Sequence, residues 1–220
     1  MLVVSGFYCV PALALPDWGG VWAMTGGTVF DAATRSGPGG STTPGLRQRP
    51  PYTAEYEAKY LANMALRDKG VLPDPNSMCG IPAGFPRIFN LPDVYEFAVT
   101  DKQVWILSEN GPNVLRIYTD GRAHPPVADR WPTHTGDSVG HWEGDTLVVD
   151  TVGVRDDVLI DQSGLPVSDA QRITERIYLK EPGILVAEIT VNDPKVFETP
   201  WTHVRRYRHR PELRLQEFVC

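Results

Sequence analysis

The stretch "SVGHWEGDTLVVDTVGVRDD", residues 138–157, places ionisable side chains around an apolar hairpin. His134, Asp137, His141, Asp150, Asp156 and Asp157 all lie in it or beside it. Histidine changes charge near neutral pH, and a neighbouring carboxylate can fix its tautomer and raise its basicity. Such groups suit proton transfer. His134, Asp137 and His203 are the leading acid/base candidates, Asp157 is a further acidic or orienting partner, and Tyr118 is a hydrogen-bond donor. Each alone would pass for an ordinary polar surface residue, so the signal lies in the cluster.

His141 precedes Trp142 on a strand pattern, and neighbours on a strand face opposite sides. One of the two must point inward, and the sequence leaves open which. Tyr118, Trp131, Trp142, Trp201 and Tyr207 could line a pocket for an apolar or aromatic molecule, with plain core packing as the alternative. Asp150 interrupts an otherwise apolar strand. Glu175 and Glu188 read as members of an outer-wall salt-bridge ladder with Arg116, Arg176 or Arg206. An inward carboxylate without a partner would be costly.

Other chemistries lack their motifs. There is no P-loop or GxGxxG, and no HxH, HExxH or CxxC spacing. No cofactor is expected. A zinc or iron site built from scattered His and Asp is the lesser alternative. The net charge of −6 argues against nucleic acid as a partner. The one basic run, "HVRRYRHR" at 203–210, alternates and reads as a strand with one charged face. No apolar run reaches the roughly 18 residues of a membrane span.

The elements that must position these groups are mostly strands. One helix is predicted over 53–69, with Thr53 as cap, Glu55 and Glu57 in the first turn, Tyr56, Tyr60 and Met64 on one stripe, and Gly70 at the end. Residues 71–92 are proline-rich and read as an irregular strap. From Tyr95 onward, about nine strands follow: "YEFAVT", "QVWILSE", "NVLRIYT", "SVGHW", "DTLVVDTV", "RITERIYL", "ILVAEITV", "THVRRYRH" and "LRLQEFV". With no helices between them they predict an all-β antiparallel meander, closed into a barrel because closure removes exposed edges. Alternating strand direction puts the turns at 110–112, 143–145, 181–183 and 210–212 at one end. The long connections 120–138, 153–171 and 192–201 fall at the other. A ligand is expected at that open mouth, where His134, Asp137, Asp157, Trp131, Trp201 and His203 would gather.

Residues 1–15 are strongly apolar, and Ala12-Leu13-Ala14 resembles a cleavage site, so they read as an export leader before a single domain over 16–220. A buried N-terminal strand is the alternative. Cys9 lies within this leader, and its removal would leave Cys79 and Cys220 as an even pair. In a periplasmic or secreted protein that suggests a disulfide.

"WGGVW" at 18–22, "CGIPAGFPR" at 79–87, "RIYTDGRAHP" at 116–125, "GHWEGDTLVVDT" at 140–151, "SDAQRITER" at 168–176 and the final "EFVC" resemble, in order, an uncharacterised family of exported bacterial proteins. The resemblance implies a signal peptide and a β-rich, lipocalin-like body, and it carries no reaction. This chain departs from the family at Asp137, Val167 and Arg172, where histidine is common. If those histidines serve the family's chemistry, this chain does something different or uses His134 and His141.

Three functions are therefore in view. The first is a cofactor-free enzyme that binds an apolar cyclic or aromatic molecule and performs isomerase-, lyase-, hydratase- or cyclase-type proton transfer. The second is a lipocalin-like carrier that uses the same pocket for recognition alone. The third is a metal-dependent lyase or hydrolase. A filled barrel would instead indicate a structural or interaction module.

Overall fold

The computed structural model describes residues 15–28, 50–76, 80, 82–110 and 114–216. Nine strands close into one barrel in sequence order, with β9 returning to β1. They are β1 (Val21–Thr25), β2 (Val94–Val99), β3 (Gln103–Ser108), β4 (Val114–Tyr118), β5 (Asp137–Glu143), β6 (Thr146–Val152), β7 (Arg172–Glu181), β8 (Ile184–Asn192) and β9 (Trp201–His209). The expected all-β barrel and its single helix, α1 (Ala54–Asp68), are both present.

Two parts of the expected topology are corrected. The strand that closes the barrel is β1, where 213–219 was expected. Trp22 pairs with Tyr95 of β2 and His209 of β9, which fills the closing position. Leu213–Gln216 carries no strand, and its Leu213 amide turns back to the Arg210 carbonyl. The meander also has one parallel seam, where Ile117 and Tyr118 of β4 pair with Ser138 and Val139 of β5. Parallel neighbours need a connection that runs back along the barrel, and residues 119–136 supply it. The turn between β3 and β4 therefore lies at the same end as the 153–171 and 193–200 connections. The tight turns after β5 and β7 lie at the opposite end. The connection from β3 to β4 does not share an end with Glu143-Gly144-Asp145, as simple alternation had it.

Gly136 makes the entry into β5 possible. Its φ is +73°, and a Cβ there would stand 2.7 Å from the Val152 carbonyl oxygen.

Alternation sorts most positions of β5 to β9 into two faces. Leu147, Ile173, Ile177, Leu185, Ile189, Val191 and Tyr207 face inward and have no solvent exposure. The interior is filled at both ends. Trp18 packs on Trp142 with ring centroids 5.3 Å apart, and Tyr207 packs on Tyr95 at 5.1 Å. At the loop end, Phe85, Ile88, Phe89 and Leu91 of the strap join Val158, Ile160, Leu165 and Val196 of the long connections in the same buried core. The cover is tied down by backbone hydrogen bonds. Phe85 donates to the His134 carbonyl at 2.7 Å, and Thr53 donates to the Val196 carbonyl at 2.8 Å. Helix α1 lies against this cover. It buries Tyr60, and Asn63 donates to the Gly164 carbonyl at 2.8 Å. The mouth expected to be open is plugged by apolar side chains. Among the described residues no helix is long and apolar enough to cross a membrane.

Candidate ligand groove on the barrel wall

Of the ionisable residues around the hairpin, Asp137, His141 and Asp150 are outward residues of β5 and β6, and His134, Asp156 and Asp157 lie in the flanking loops. Asp137, Val139, His141 and Glu143 alternate outward along β5, opposite Val148 and Asp150 of β6. Gly140 lies between His141 and Val139 on the inner face. A Cβ there would stand 2.9 Å from Ile117 Cγ2 and 3.1 Å from the Val148 carbonyl, so only glycine lets β4 and β6 approach β5 this closely.

The crossover from β4 to β5 brings His124 onto this outer face. Its Nδ1 lies 2.5 Å from Asp137 Oδ1, and its Nε2 lies 3.0 Å from Asp150 Oδ2. Arg172, at the start of β7, donates to both oxygens of Asp150, from Nε at 2.7 Å and Nη2 at 2.6 Å. The result is a chain, Asp137–His124–Asp150–Arg172, spanning three strands and the crossover. Burial pulls the Asp150 carboxyl upward. The bonds from Arg172 and His124 outweigh it and hold Asp150 below the usual carboxylate range.

Beside this chain lies a groove of about 460 Å³. Val139 and Val148 make an apolar floor, and Arg122, His141, Arg172 and Thr174 stand around it. A second depression of about 340 Å³ adjoins the parallel seam and is lined by Arg116, Tyr118, Thr133 and Asp137. The Arg122 guanidinium covers the Tyr118 ring at 3.8 Å, which places Tyr118 under a cation on the outer wall.

The residues proposed for one mouth are dispersed. Asp137, His141 and Tyr118 are on the outer wall around the two depressions. His141 is exposed, with Nε2 3.4 Å from Glu143 Oε1, and Trp142 is the neighbour that faces inward. His134 and Asp157 are close in the loops, with His134 Nε2 4.0 Å from Asp157 Oδ1. Asp157 is held below its ordinary range by the fork of Arg155. His203, Trp201 and Tyr207 do not close a loop. They face inward from β9, and Tyr207 donates to the Phe89 carbonyl at 2.7 Å. The His203 ring packs on Trp201 at 4.4 Å, and burial, followed by the Arg205 charge, pushes His203 well below the ordinary histidine range. Trp131 is 85 % exposed and lines neither depression. Cys79 and Cys220, the expected disulfide, lie outside the described residues.

Glu188 sits on the outer wall as expected and accepts from the Tyr178 hydroxyl at 2.8 Å. Glu175 does not. It faces inward between Val149 and Ile189, with no solvent exposure. Neither carboxyl oxygen has a hydrogen-bond partner among the described residues. Burial, reinforced by the nearby Asp150 charge, pushes it well above the ordinary glutamate range.

His124, Arg122 and Arg172 were not singled out as site residues from sequence. Asp150 gave the one usable signal, a lone carboxylate on a β-branched strand.

Among the described residues no three His, Cys, Asp or Glu side chains form a group that could hold a metal ion. In the wall cluster the two carboxylates grip opposite nitrogens of one ring, so they do not converge on a common point. No family model matches this chain, and no curated protein matches it. The segment "GHWEGDTLVVDT" is the β5–β6 hairpin that forms the groove floor.

Proposed function

We propose that this barrel binds a small molecule in the groove on its outer wall and acts through recognition, as a carrier or sensor. The carrying observation is a depression of about 460 Å³ with an apolar floor and a polar rim, beside a barrel whose described inward side chains pack into one core. Ligand sites combine apolar lining with a few fixed polar groups. The rim here is fixed by the Asp137–His124–Asp150–Arg172 chain. Its groups are already engaged with one another. Both His124 nitrogens face carboxylates, and Asp150 is held ionised, which favours reading a ligand over moving a proton. Export and the family resemblance belong to this reading, and the mass of the chain recovered from the periplasm or medium tests the leader.

Val148→Trp tests the groove. The new ring would lie on the outer wall, across the floor, without entering the core. Fragments detected by ligand-observed NMR on the wild-type protein should lose their signal on this variant. Undiminished binding would place the site elsewhere.

Acid–base catalysis is the second reading, favoured by His134. Its Nε2 is shielded from solvent and makes no hydrogen bond among the described residues, with ionised Asp157 4.0 Å away. If turnover of an apolar cyclic substrate is found, His134→Ala should abolish it and leave the fold intact. Unchanged turnover removes His134 from the chemistry.

A further inference from the structure

The two arginines on the groove are presented in the same way. Arg122 spends its Nε and Nη2 on Asp120, at 2.9 and 2.7 Å, and Arg172 spends its Nε and Nη2 on Asp150. Neither Nη1 has a hydrogen-bond partner among the described residues. The acids sit deeper than their partners. Side-chain exposure is 24 % for Asp120 against 48 % for Arg122, and 22 % for Asp150 against 61 % for Arg172. The charges balance within each pair, and Asp150 also lines the groove, but the guanidinium groups are the more exposed members of both pairs. His141, also exposed, adds a third nitrogen-bearing group on the rim. Between them lie the methyl groups of Val139 and Val148.

Guanidinium edges with free N–H groups recognise planar or tetrahedral oxyanions, and a pre-fixed guanidinium loses little entropy in doing so. A β-branched floor suits a flat apolar ring. Resting on the groove reading above, we infer that the ligand is an apolar ring compound bearing one anionic group, a carboxylate or sulfonate. Its ring lies on Val139 and Val148, and its oxyanion lies against the Nη1 edges of Arg122 and Arg172. Asp120 and Asp150 are positioning residues that hold those edges outward.

The test uses naphthalene-2-sulfonate and its neutral counterpart naphthalene-2-sulfonamide, titrated into ¹⁵N-labelled protein. The sulfonate should shift the amides of Gly121, Gly140 and Thr174, and the sulfonamide should bind these at least about tenfold more weakly, the loss expected for a charge-assisted hydrogen bond. Arg172→Gln should weaken the sulfonate about tenfold and leave the sulfonamide unchanged. Added salt should weaken only the sulfonate. Equal binding of both compounds at these amides would overturn the anionic class while leaving the groove as the site. No shift at these amides with either compound would overturn both.

Discussion

Glu175 is the residue whose environment departs most from its chemistry. A carboxylate between Val149 and Ile189 inside a closed barrel is tolerable only while it is neutral. Its folded pKa lies above the unfolded value near 4.5, so the unfolded chain releases this proton first. The fold is therefore undisturbed by this group below the unfolded pKa and loses stability as pH rises above it. Glu175→Gln should remove that penalty. The gain in stability over wild type should be near zero at pH 4. It should then grow by up to about 1.4 kcal/mol per pH unit while the buried carboxyl stays protonated. Thermal melts from pH 4 to 8 measure it, and a constant difference would show that Glu175 does not carry the effect. His203 acts with the opposite sign. Its folded pKa is depressed, so its contribution is intact above the unfolded value near 6.5 and is lost as pH falls below it. The outward assignment of Glu175 failed for a reason sequence does not show. Alternation in "RITERIYL" does put Glu175 on the face of Ile173 and Ile177, but the cost of an unpaired inward carboxylate argued for the outer wall, and only the fold shows that the pattern outweighs that cost.

At the scale of elements, the β5–β6 hairpin with the start of β7 and the crossover makes the site. The hairpin was legible. Its turn residues and alternating β-branched positions define it, and the observed pairing runs from Glu143–Thr146 back to Asp137–Val152. What was hidden is the parallel seam, because a long connection looks the same in sequence whether the next strand reverses or not. That hidden crossover brings His124 to Asp137 and Asp150, so the cluster could not be assembled from spacing. Two predictions belong here. Gly140→Val should destabilise the protein by about 1–3 kcal/mol, since its side chain would meet Ile117 and the Val148 carbonyl. Urea unfolding measures it, and a neutral result would mean that β4 and β5 can separate freely. The Asp150–Arg172 pair is bidentate but partly exposed, so its worth is modest. A double-mutant cycle of Asp150→Asn and Arg172→Gln should give a coupling of about 0.5–1 kcal/mol. A coupling of several kcal/mol would mean that the pair is held for stability and not for presentation to a ligand.

For the whole molecule, closure and filling set what the barrel can do. Fold class and eight of the nine strands, β2 to β9, follow from turn signals and alternation. The fullness of the interior does not, because the plug comes from the proline-rich strap and two loops with no periodic pattern. The wall is uneven. β7 and β8 pair over nine positions, whereas β4 and β5 pair over two. Local opening should start at the thin seam. Amide exchange at Ile117 and Val139 should be at least about tenfold faster than at Ile177 and Ile189, and equal protection would show that the barrel opens only as a unit.

In the proposed mode the ligand sits on the outside of this wall. Alternation makes it directly testable, because Val139 and Val148 point outward while Leu147 and Val149 point inward from the same hairpin. Intermolecular NOEs from a bound fragment to methyl-labelled protein would distinguish the two sides. Contacts to Val139 and Val148, with none to Leu147, Val149 or Ile177, are the expected result. Contacts to Leu147, Val149 and Ile177 would place the ligand inside the barrel and contradict the account.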